Sequence, residues 1–528
     1  MLIAGGGPAG LALAIELGRR GVSCILVDQG DGTVEFATTN LVNTRTSEHL
    51  RRWGLVEEVR NAGFPLDYPR NYIFVTRLDN YELVRFEHPS NREGRSPYSP
   101  EGRIWCPKPF FHPVLQRYAQ ALPSVELRYG RRLESFRQDD NGVVAQVVNV
   151  AGGQDEEIMA EYLVACDGGA SNVRRQLGIE LQGKFVEGLN LAIFFKSPLL
   201  SHHPHGKAVM YQVVNAKAQG TVATIDGGEE WRLNLRGIHP GDLESLDAGQ
   251  YLRDTLGNQI PFEISSVRPW TAHRVVAESY RRGRVFVAGD AAHLLWPAGG
   301  FGMNTAVGDS VDLGWKLAAT LQGWGGPNLL DSYEPERRPI GIRNVNEAGD
   351  LRAGLDNQVP TAATLEEDSE EGARLRLKAA EIIIKTRGKE FAHDSLGIEL
   401  GYCYGGSPIC VPDGTPAPPL DHAVYLPTTW PGARAPHVWL KDGRSTLDLF
   451  GRGFTLLSLR RGLDTSRFES AAARCGLPLE VVDLDEPDVC KLYEYRCILV
   501  RPDGHVAWRG DAVPTDATEI IDRVRGAG

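Results

Sequence analysis

Residues 1–10 read Met-Leu-Ile-Ala-Gly-Gly-Gly-Pro-Ala-Gly, and an apolar pattern typical of a helix follows. The short apolar strand and the Gly5-x-Gly7-x-x-Gly10 spacing form a dinucleotide-binding fingerprint. Gly5 allows a tight turn, Gly7 lets the backbone approach a pyrophosphate, and Gly10 lets the helix pack on the strand. The helix N-terminus offers free N–H groups to the phosphates. The sequence therefore predicts an α/β domain of the Rossmann type.

A second strand is predicted over residues 22–27 and ends at Asp28. This carboxylate stands at about the 20-residue spacing expected of the group that binds a ribose hydroxyl. Gln29, which follows it, is assigned to the same site. A purely structural glycine-rich turn is the alternative. Strand, glycines, helix, strand and acid nevertheless occur in the order that nucleotide binding requires.

Residues 284–293 read Arg-Val-Phe-Val-Ala-Gly-Asp-Ala-Ala-His, and a loop rich in proline and glycine follows at 297–300. The apolar strand ends at Asp290, and a helix is predicted to begin near Gly302. This arrangement brings a carboxylate and a helix N-terminus to one small region. A diphosphate alone would not require both, so the pattern predicts a flavin.

The predicted helix start could stabilise a reduced flavin. Backbone N–H groups of Gly302, Met303 and Asn304 would donate to the N1–C2=O edge of the ring. Pro297 and Gly300 would shape the wall beside flavin C4a, where a bulky side chain would fill the reaction space. The alternative is that this proline and glycine only form a turn and have no role in the reaction.

Bulk composition restricts the possible partners. The chain has 528 residues and a net charge of −11 without a basic tract, which argues against a nucleic-acid or anionic-membrane partner. A small-molecule substrate is therefore expected. No apolar run approaches the length of about 18 residues needed to span a bilayer, so a cytoplasmic protein is expected as well. The histidine-rich segment 201–205 is interpreted as a solvated loop, and no metal site is predicted.

The C-terminal part is predicted to be a separate module. Seven prolines between residues 411 and 436 indicate an extended linker. A βαβ segment and a hairpin follow, which is typical of a thioredoxin-like fold. Because the eight cysteines form no C-x-x-C pair, disulfide exchange is excluded there. A role in packing or homo-oligomer formation is the preferred interpretation.

The predicted fold is α/β, with a Rossmann-like nucleotide domain of three segments and an inserted, mixed β-sheet substrate domain. Alternating strand patterns, such as Trp231–Arg236, support the inserted sheet. The predicted boundaries are 1–71, 96–180 and 266–345 for the nucleotide domain, 72–95 and 181–265 for the substrate domain, 346–395 for a helical connection, and 396–528 for the linker and thioredoxin-like domain.

With these motifs, the chain resembles the class A flavin-dependent aromatic hydroxylases, the group of para-hydroxybenzoate hydroxylase and phenol hydroxylase. A third motif, Asp167-Gly168 before a short helix, completes the resemblance. It implies that Asp290 binds the ribityl chain, that Asp167 interacts with FAD and NAD(P)H, and that Arg45 reaches the pyrophosphate. The C-terminal module resembles the thioredoxin-like domain of the phenol hydroxylase branch.

The resemblance also implies the chemistry. FAD would be reduced by transiently bound NADPH or NADH, would react with O₂ to give a C4a-hydroperoxide, and would hydroxylate a phenolic or other electron-rich aromatic molecule. A mobile isoalloxazine and substrate-gated reduction are implied as well. An FAD oxidase or reductase without oxygen insertion, a ligand-sequestering flavoprotein and, less favoured, a flavin-dependent halogenase are the alternatives.

Two departures from the family pattern leave the substrate base unassigned. Lys108 stands near a glutamine of many relatives, and Asn40 stands near an aspartate that is the base in phenol hydroxylase. Tyr211, His202 and His273 are conceivable bases, but each is more readily explained as structural or solvated. The first strand is short, and whether native residues precede Met1 is left open.

The full predicted cofactor site combines all of these motifs. Its members are Gly5, Gly7, Pro8, Ala9, Gly10, Asp28, Gln29, Arg45, Lys108, Leu133, Asp167, Asp290, Pro297, Gly300, Gly302, Met303 and Asn304.

Overall fold

A parallel sheet forms the centre of the nucleotide domain in the computed structural model, which describes residues 1–238, 246–356, 359–392, 394–460 and 462–528. No helix among these residues is both long enough and apolar enough to cross a membrane. The first 180 residues contain β1 (Leu2–Ala4), α1 (Pro8–Gly18), β2 (Cys24–Asp28), β3 (Leu41–Val42), α2 (Thr44–Trp53), α3 (Val56–Arg60), β4 (Tyr72–Val75), β5 (Glu82–Phe86), β6 (Ile104–Trp105), α4 (Lys108–Gln120), β7 (Val125–Tyr129), β8 (Arg131–Asp139), β9 (Gly142–Asn149), β10 (Glu156–Ala160), β11 (Leu163–Ala165) and α5 (Asn172–Gln176).

The remaining elements follow in the same chain order. The middle of the chain contains β12 (Leu181–Lys196), β13 (Met210–Val214), β14 (Gln219–Thr224), β15 (Glu230–Ile238), α6 (Ala248–Leu256), β16 (Glu263–Ala277), β17 (Arg281–Arg282), β18 (Val285–Val287), β19 (His293–Leu294), α7 (Phe301–Leu321) and α8 (Tyr333–Asp356). The last part contains α9 (Glu370–Ala392), α10 (Leu396–Leu400), β20 (Phe454–Ser458), α11 (Ser466–Cys475), β21 (Leu479–Asp483), α12 (Pro487–Tyr493), β22 (Cys497–Val500), β23 (Val506–Gly510) and α13 (Ala517–Val524).

The nucleotide domain is built on the sheet order β17-β18-β11-β1-β2-β7, in which only β17 is antiparallel. The carboxyl ends of its parallel strands meet at one edge, where such sheets bind ligands. Gly5 has φ +106°, and a Cβ there would lie 2.2 Å from the Cys166 carbonyl oxygen. A Cβ on Gly10 would lie 1.9 Å from the Gly5 carbonyl oxygen. Both glycines therefore have the structural roles that the sequence predicts.

The inserted sheet has eight strands in the order β19-β16-β12-β15-β14-β13-β4-β5 and faces the carboxyl edge of the parallel sheet. It is mixed, because β13 pairs with β4 in parallel while its other pairs are antiparallel. The predicted boundary at 265/266 falls inside β16. This strand continues to Ala277 because it pairs with β12 as far as Leu181. The two domains therefore share one long antiparallel ribbon.

The C-terminal domain shows the predicted βαβ unit followed by a hairpin, in the sheet order β21-β20-β22-β23. It shares a hydrophobic core with the end of α7 and the loop beyond. The ring of Trp315 meets Phe454 edge-on with centroids 5.9 Å apart, and Trp324 and Leu329 pack in the same cluster. The domain is therefore an integral part of the fold rather than a tethered module.

A buried network of charges crosses this domain boundary. Arg501 contacts Asp312 at 2.9 Å, Glu336 at 2.7 Å and Asp503 at 2.8 Å. Lys316 contacts Asp312 at 2.7 Å and Glu336 at 2.6 Å. Burial disfavours every charge here; it dominates at Asp312 and raises its pKa, while Arg501 and Lys316 outweigh it at Glu336 and lower its pKa. Three carboxylates and two cations thus pair with one another in a site closed to solvent.

Replacement Arg501→Met should destabilise the protein by about 3–5 kcal/mol, because it removes one of the two cations that contact the buried carboxylates. Urea unfolding of this variant should show a lower midpoint. Tryptophan fluorescence is a suitable signal, because Arg501 lies over the ring of Trp315. The control is Arg444→Met, which breaks an exposed pair with Asp442 and should leave the midpoint unchanged. Equal midpoints for the two variants would contradict the expectation.

Candidate active site

A cavity of about 1010 Å³ separates the carboxyl edge of the parallel sheet from the eight-stranded sheet. Its two ends differ in chemistry. The nucleotide end lies against α1 and the parallel sheet, whereas the sheet end lies against β13–β15 and α9. The predicted site residues that line the cavity are Gly5, Gly7, Pro8, Ala9, Asp28, Gln29, Lys108, Leu133, Asp167, Asp290, Pro297, Gly300, Gly302 and Met303.

The start of α1 forms the floor of the nucleotide end. Asp28 accepts hydrogen bonds from Gly6 N at 2.6 Å and from Gly30 N at 2.7 Å, which fixes its carboxylate beside the glycine turn. Gly7 has an ordinary φ of −70°, and a Cβ built on it meets no atom within 4 Å. The backbone at Gly7 therefore borders open space, as close approach of a phosphate requires.

Lys108 lines the cavity together with two carboxylates. It is the first residue of α4, and Asp290 and Asp28 both act on its charge. Burial lowers the pKa of Lys108, and the two carboxylates oppose that shift. Asp290 is exposed to the cavity, and the protein atoms around it raise its pKa although His293 and Lys108 act against this shift. An ammonium at this place can neutralise a phosphate or the carboxylate of Asp290.

Asp309 fixes the turn that carries Asp290. Its Oδ2 accepts from Gly289 N at 3.1 Å and lies 2.8 Å from His293 Nε2, while Oδ1 accepts from Arg337 Nε at 2.8 Å. Burial opposes the charge of Asp309, but Arg337 and His293 outweigh it and lower its pKa. Asp309 could not be predicted from the sequence because its partners come from the turn after β18, from β19 and from α8.

The N-terminus of α7 opens onto the cavity through a glycine pair. Gly299 and Gly300 have φ values of +73° and +70°, the left-handed region that favours glycine. A Cβ on Gly299 would lie 2.3 Å from the ring of Phe301, and one on Gly300 would lie 3.1 Å from Leu41. The helix start at Phe301 can therefore present free N–H groups to a ligand without an intervening side chain.

One carboxylate oxygen of Asp167 caps the N-terminus of α5. Oδ2 accepts from Asn172 N at 2.9 Å and Val173 N at 3.2 Å, whereas the buried Oδ1 has no hydrogen-bond partner in the described structure. A buried acceptor without a partner costs about 1–3 kcal/mol. Asp167 also lines the cavity, so a ligand hydroxyl can satisfy this oxygen.

Three predicted cofactor residues lie outside the cavity wall. Gly10 packs against the Gly5 carbonyl. The assignment of Arg45 to a pyrophosphate stays a prediction; in this structure its guanidinium donates to Glu48 of the same helix at 2.7 Å and to the Asp503 carbonyl of the C-terminal domain at 2.8 Å. The side chain of Asn304 donates to the carbonyls of Leu41 and Gly300 and accepts from Asn43 N, so it braces the loop instead of pointing at a ligand.

The three conceivable bases also lie away from the cavity. Tyr211 belongs to β13, where Met210 and Gln212 face the cavity and Tyr211 points to the opposite core because strand side chains alternate. His202 lies in an exposed turn, with Nδ1 2.9 Å from the Pro198 carbonyl. His273 contacts the ring of Phe185, with centroids 5.9 Å apart. None of the three is supported as a base.

The sheet end contains residues that the sequence analysis did not single out. It combines aromatic rings, a thioether and polar side chains. The alternation in Trp231–Arg236 was the available signal, because every second residue of a strand faces one side. These lining residues are Tyr72, Met210, Gln212, Thr221, Arg232, Asn234, Arg236, Trp270, Trp296, Arg387, Glu390 and Phe391.

Comparison with known proteins places this geometry in a family. An FAD-binding domain family matches residues 1–348, and an aromatic-ring hydroxylase C-terminal family matches residues 428–527. The chain belongs to the FAD-dependent aromatic hydroxylases. It is 33% identical to the FAD-dependent monooxygenase apdD of Emericella nidulans, over 100% of this chain and 90% of that protein. The family resemblance and the fold class predicted from the sequence are both confirmed.

Solved structures of other hydroxylase-family proteins align along the whole chain. RebC soaked with chromopyrrolic acid is 38% identical, with a TM-score of 0.93 over 100% of this chain and 99% of that one. Aklavinone-11 hydroxylase with FAD and aklavinone is 28% identical, with a TM-score of 0.82 over 99% of this chain and 98% of that one. The likeness thus extends over the nucleotide domain, the inserted sheet and the C-terminal domain.

The nucleotide end of this hydroxylase fits FAD. The starts of α1 and α7 open into the same cavity, so two sets of backbone N–H groups can meet the pyrophosphate and the flavin ring. The unpartnered oxygen of Asp167 and the cavity-facing Asp290 supply acceptors for hydroxyl groups. Open space at Gly7 admits the phosphates.

Replacement Gly7→Ala should leave the apoprotein folded but raise the Kd for FAD at least about tenfold, because the new methyl group occupies space needed for phosphate approach. Fluorescence quenching of FAD gives the Kd, and circular dichroism reports the fold. Gly388→Ala on α9 is the control, since its Cβ makes only an ordinary 3.6 Å contact with Ile384. An unchanged Kd in the Gly7 variant would contradict the assignment.

Replacement Asp290→Asn should stabilise the apoprotein only slightly at about pH 8, because solvent in the cavity screens the exposed carboxylate, and it should weaken FAD binding about tenfold. Because the folded-state pKa of Asp290 is raised, its ionised form opposes folding above the ordinary carboxyl pKa of about 4. The gain in Tm should shrink as the pH falls through the raised pKa and vanish where the carboxyl is protonated in both states. Differential scanning fluorimetry across this range checks it. A gain that is the same at every pH would refute the expectation.

Proposed function

We propose that the protein is a single-component monooxygenase that hydroxylates a phenolic or other electron-rich aromatic molecule. The overall reaction consumes the aromatic compound, O₂, NADPH or NADH and one proton, and it gives the hydroxylated product, oxidised nicotinamide and water. One observation carries the proposal: a single cavity joins an FAD-type nucleotide end to a sheet end lined with aromatic rings.

Bound FAD would supply the redox chemistry, by accepting hydride and then activating O₂. The protein's own residues bind and orient it. Asp28 would hold the ribose, the start of α1 the pyrophosphate, and Asp290 the ribityl chain. Gly300 and the start of α7 would leave the ring edge next to backbone donors, which favour negative charge on a reduced ring.

The sheet end supports an aromatic substrate. Trp270 and Trp296 meet edge-on with ring centroids 6.2 Å apart, and Tyr72 lies 4.9 Å from Phe391 on the facing helix. Flat rings of this kind bind flat ligands and exclude water from the reacting carbon. The related aklavinone-11 hydroxylase, bound to FAD and aklavinone, supports a substrate of this class.

The other roles follow from the same proposal. NAD(P)H would bind transiently, because the sequence contains one G-x-G-x-x-G unit, in its first ten residues. Asp167 is proposed to meet both FAD and the nicotinamide nucleotide. A homo-oligomer through the C-terminal domain stays a proposal, as does a cytoplasmic location.

Two measurements test the proposed reaction. Stopped-flow reduction by NADPH should be faster with a bound aromatic compound than without it, if reduction is gated by substrate. Turnover under ¹⁸O₂ should place one labelled oxygen atom in the product. NADPH oxidation that yields only hydrogen peroxide with every phenol in a broad panel would instead indicate an oxidase. Binding without any NADPH oxidation would indicate a sequestering flavoprotein.

A further inference from the structure

We infer that Arg232 is a recognition site for a carboxylate on the aromatic substrate. The inference rests on the proposed function and adds a substrate class to it. It depends on three features of the sheet end, namely the face of β15 on which Arg232 lies, the lack of an anionic partner for its guanidinium, and the shape of the surrounding sheet.

Strand alternation points Arg232 into the cavity. Along β15, Trp231, Leu233 and Leu235 enter the hydrophobic core behind the sheet, while Arg232 and Asn234 line the cavity. Arg232 is 8% exposed, so its charge is placed in an enclosed wall rather than in solvent.

The guanidinium of Arg232 has a hydrogen-bond donor without a partner. Its NH1 donates to the Ala37 carbonyl, and the buried Nε has no hydrogen-bond partner. Within the described part of the chain no carboxylate pairs with it, and burial alone lowers the pKa of Arg232 to about 10. A buried cation is costly unless it is paired, so a substrate anion would relieve that cost.

Glu390, a carboxylate at the same end of the cavity, is already paired with another arginine. Glu390 accepts from Arg387 Nε at 2.7 Å, so this acid on α9 is neutralised by its own neighbour. Arg232 is left as a positive charge with an open partner position. Arginine can bind a carboxylate through two parallel N–H donors, which gives orientation as well as affinity.

The sheet beside Arg232 fits a ring that carries such a group. Ala223 pairs with Arg232 across the strands and Met210 pairs with Ala223, so a small and then an apolar side chain extend from the guanidinium. In the next row, Thr221 pairs with Asn234. A flat substrate can therefore lie over the apolar row with its carboxylate at Arg232.

The test compares 1-hydroxy-2-naphthoate with 1-naphthol, which lacks the carboxylate, by isothermal titration calorimetry on the holoenzyme. The wild type should bind the acid at least about tenfold more tightly. In Arg232→Met the Kd for the acid should rise about 10- to 100-fold, while the Kd for naphthol stays within about threefold. The control Arg268→Met removes an exposed cation that lies over Phe36, and the preference should persist.

Equal affinity of the wild type for the two probes would overturn the inference, as would a preference that survives in Arg232→Met. If that variant does not fold, Arg232→Lys decides instead, because it keeps the charge but loses the two-donor geometry. Its preference for the acid should fall about threefold or more, and an unchanged preference would count against the site. Binding needs no turnover, so a holoenzyme that prefers the acid but never incorporates oxygen would defeat the proposed function alone.

Discussion

The carboxylate of Asp309 is the contact on which the cavity most depends. It joins the turn after β18, the ring of His293 and the guanidinium of Arg337, so it fixes α7 and α8 against the edge of the parallel sheet. The position of Asp290 and the direction of the α7 N-terminus both follow from this arrangement. A buried anion held by three partners is costly to disturb, which makes the region rigid.

The sequence predicted the features that depend on local backbone geometry. Gly5 and Gly10 could be assigned because a side chain at either position would collide with nearby backbone. The contact of Arg45 with the Asp503 carbonyl could not be predicted, because the direction of a helical side chain is decided by what packs on the helix, and here that is the C-terminal domain. The alternation in Trp231–Arg236 separates the two faces of β15. Which of the two faces lines the cavity could not be predicted, because that depends on where the hydrophobic core lies.

The C-terminal domain reaches the cavity indirectly. Its Asp503 carbonyl and its Arg434 guanidinium hold α2, the helix that follows the loop beside the nucleotide end. Arg501 holds the middle of α7. The domain therefore contacts two helices that frame the cofactor without contributing a lining residue from the described part of its sheet. A domain that shares core residues in this way constrains the geometry of its neighbour.

The buried charge network around Arg501 limits how such proteins can be recombined. A chimera that grafts a foreign C-terminal domain onto this nucleotide domain would bury Asp312 and Glu336 under a new surface. Unless the graft brings a cation to the same spot, those acids would face a solvent-free seam with only Lys316 to balance them. Exchange of C-terminal domains within this family should therefore succeed when the new domain brings a cation that can pair with Asp312 and Glu336, as Arg501 does here.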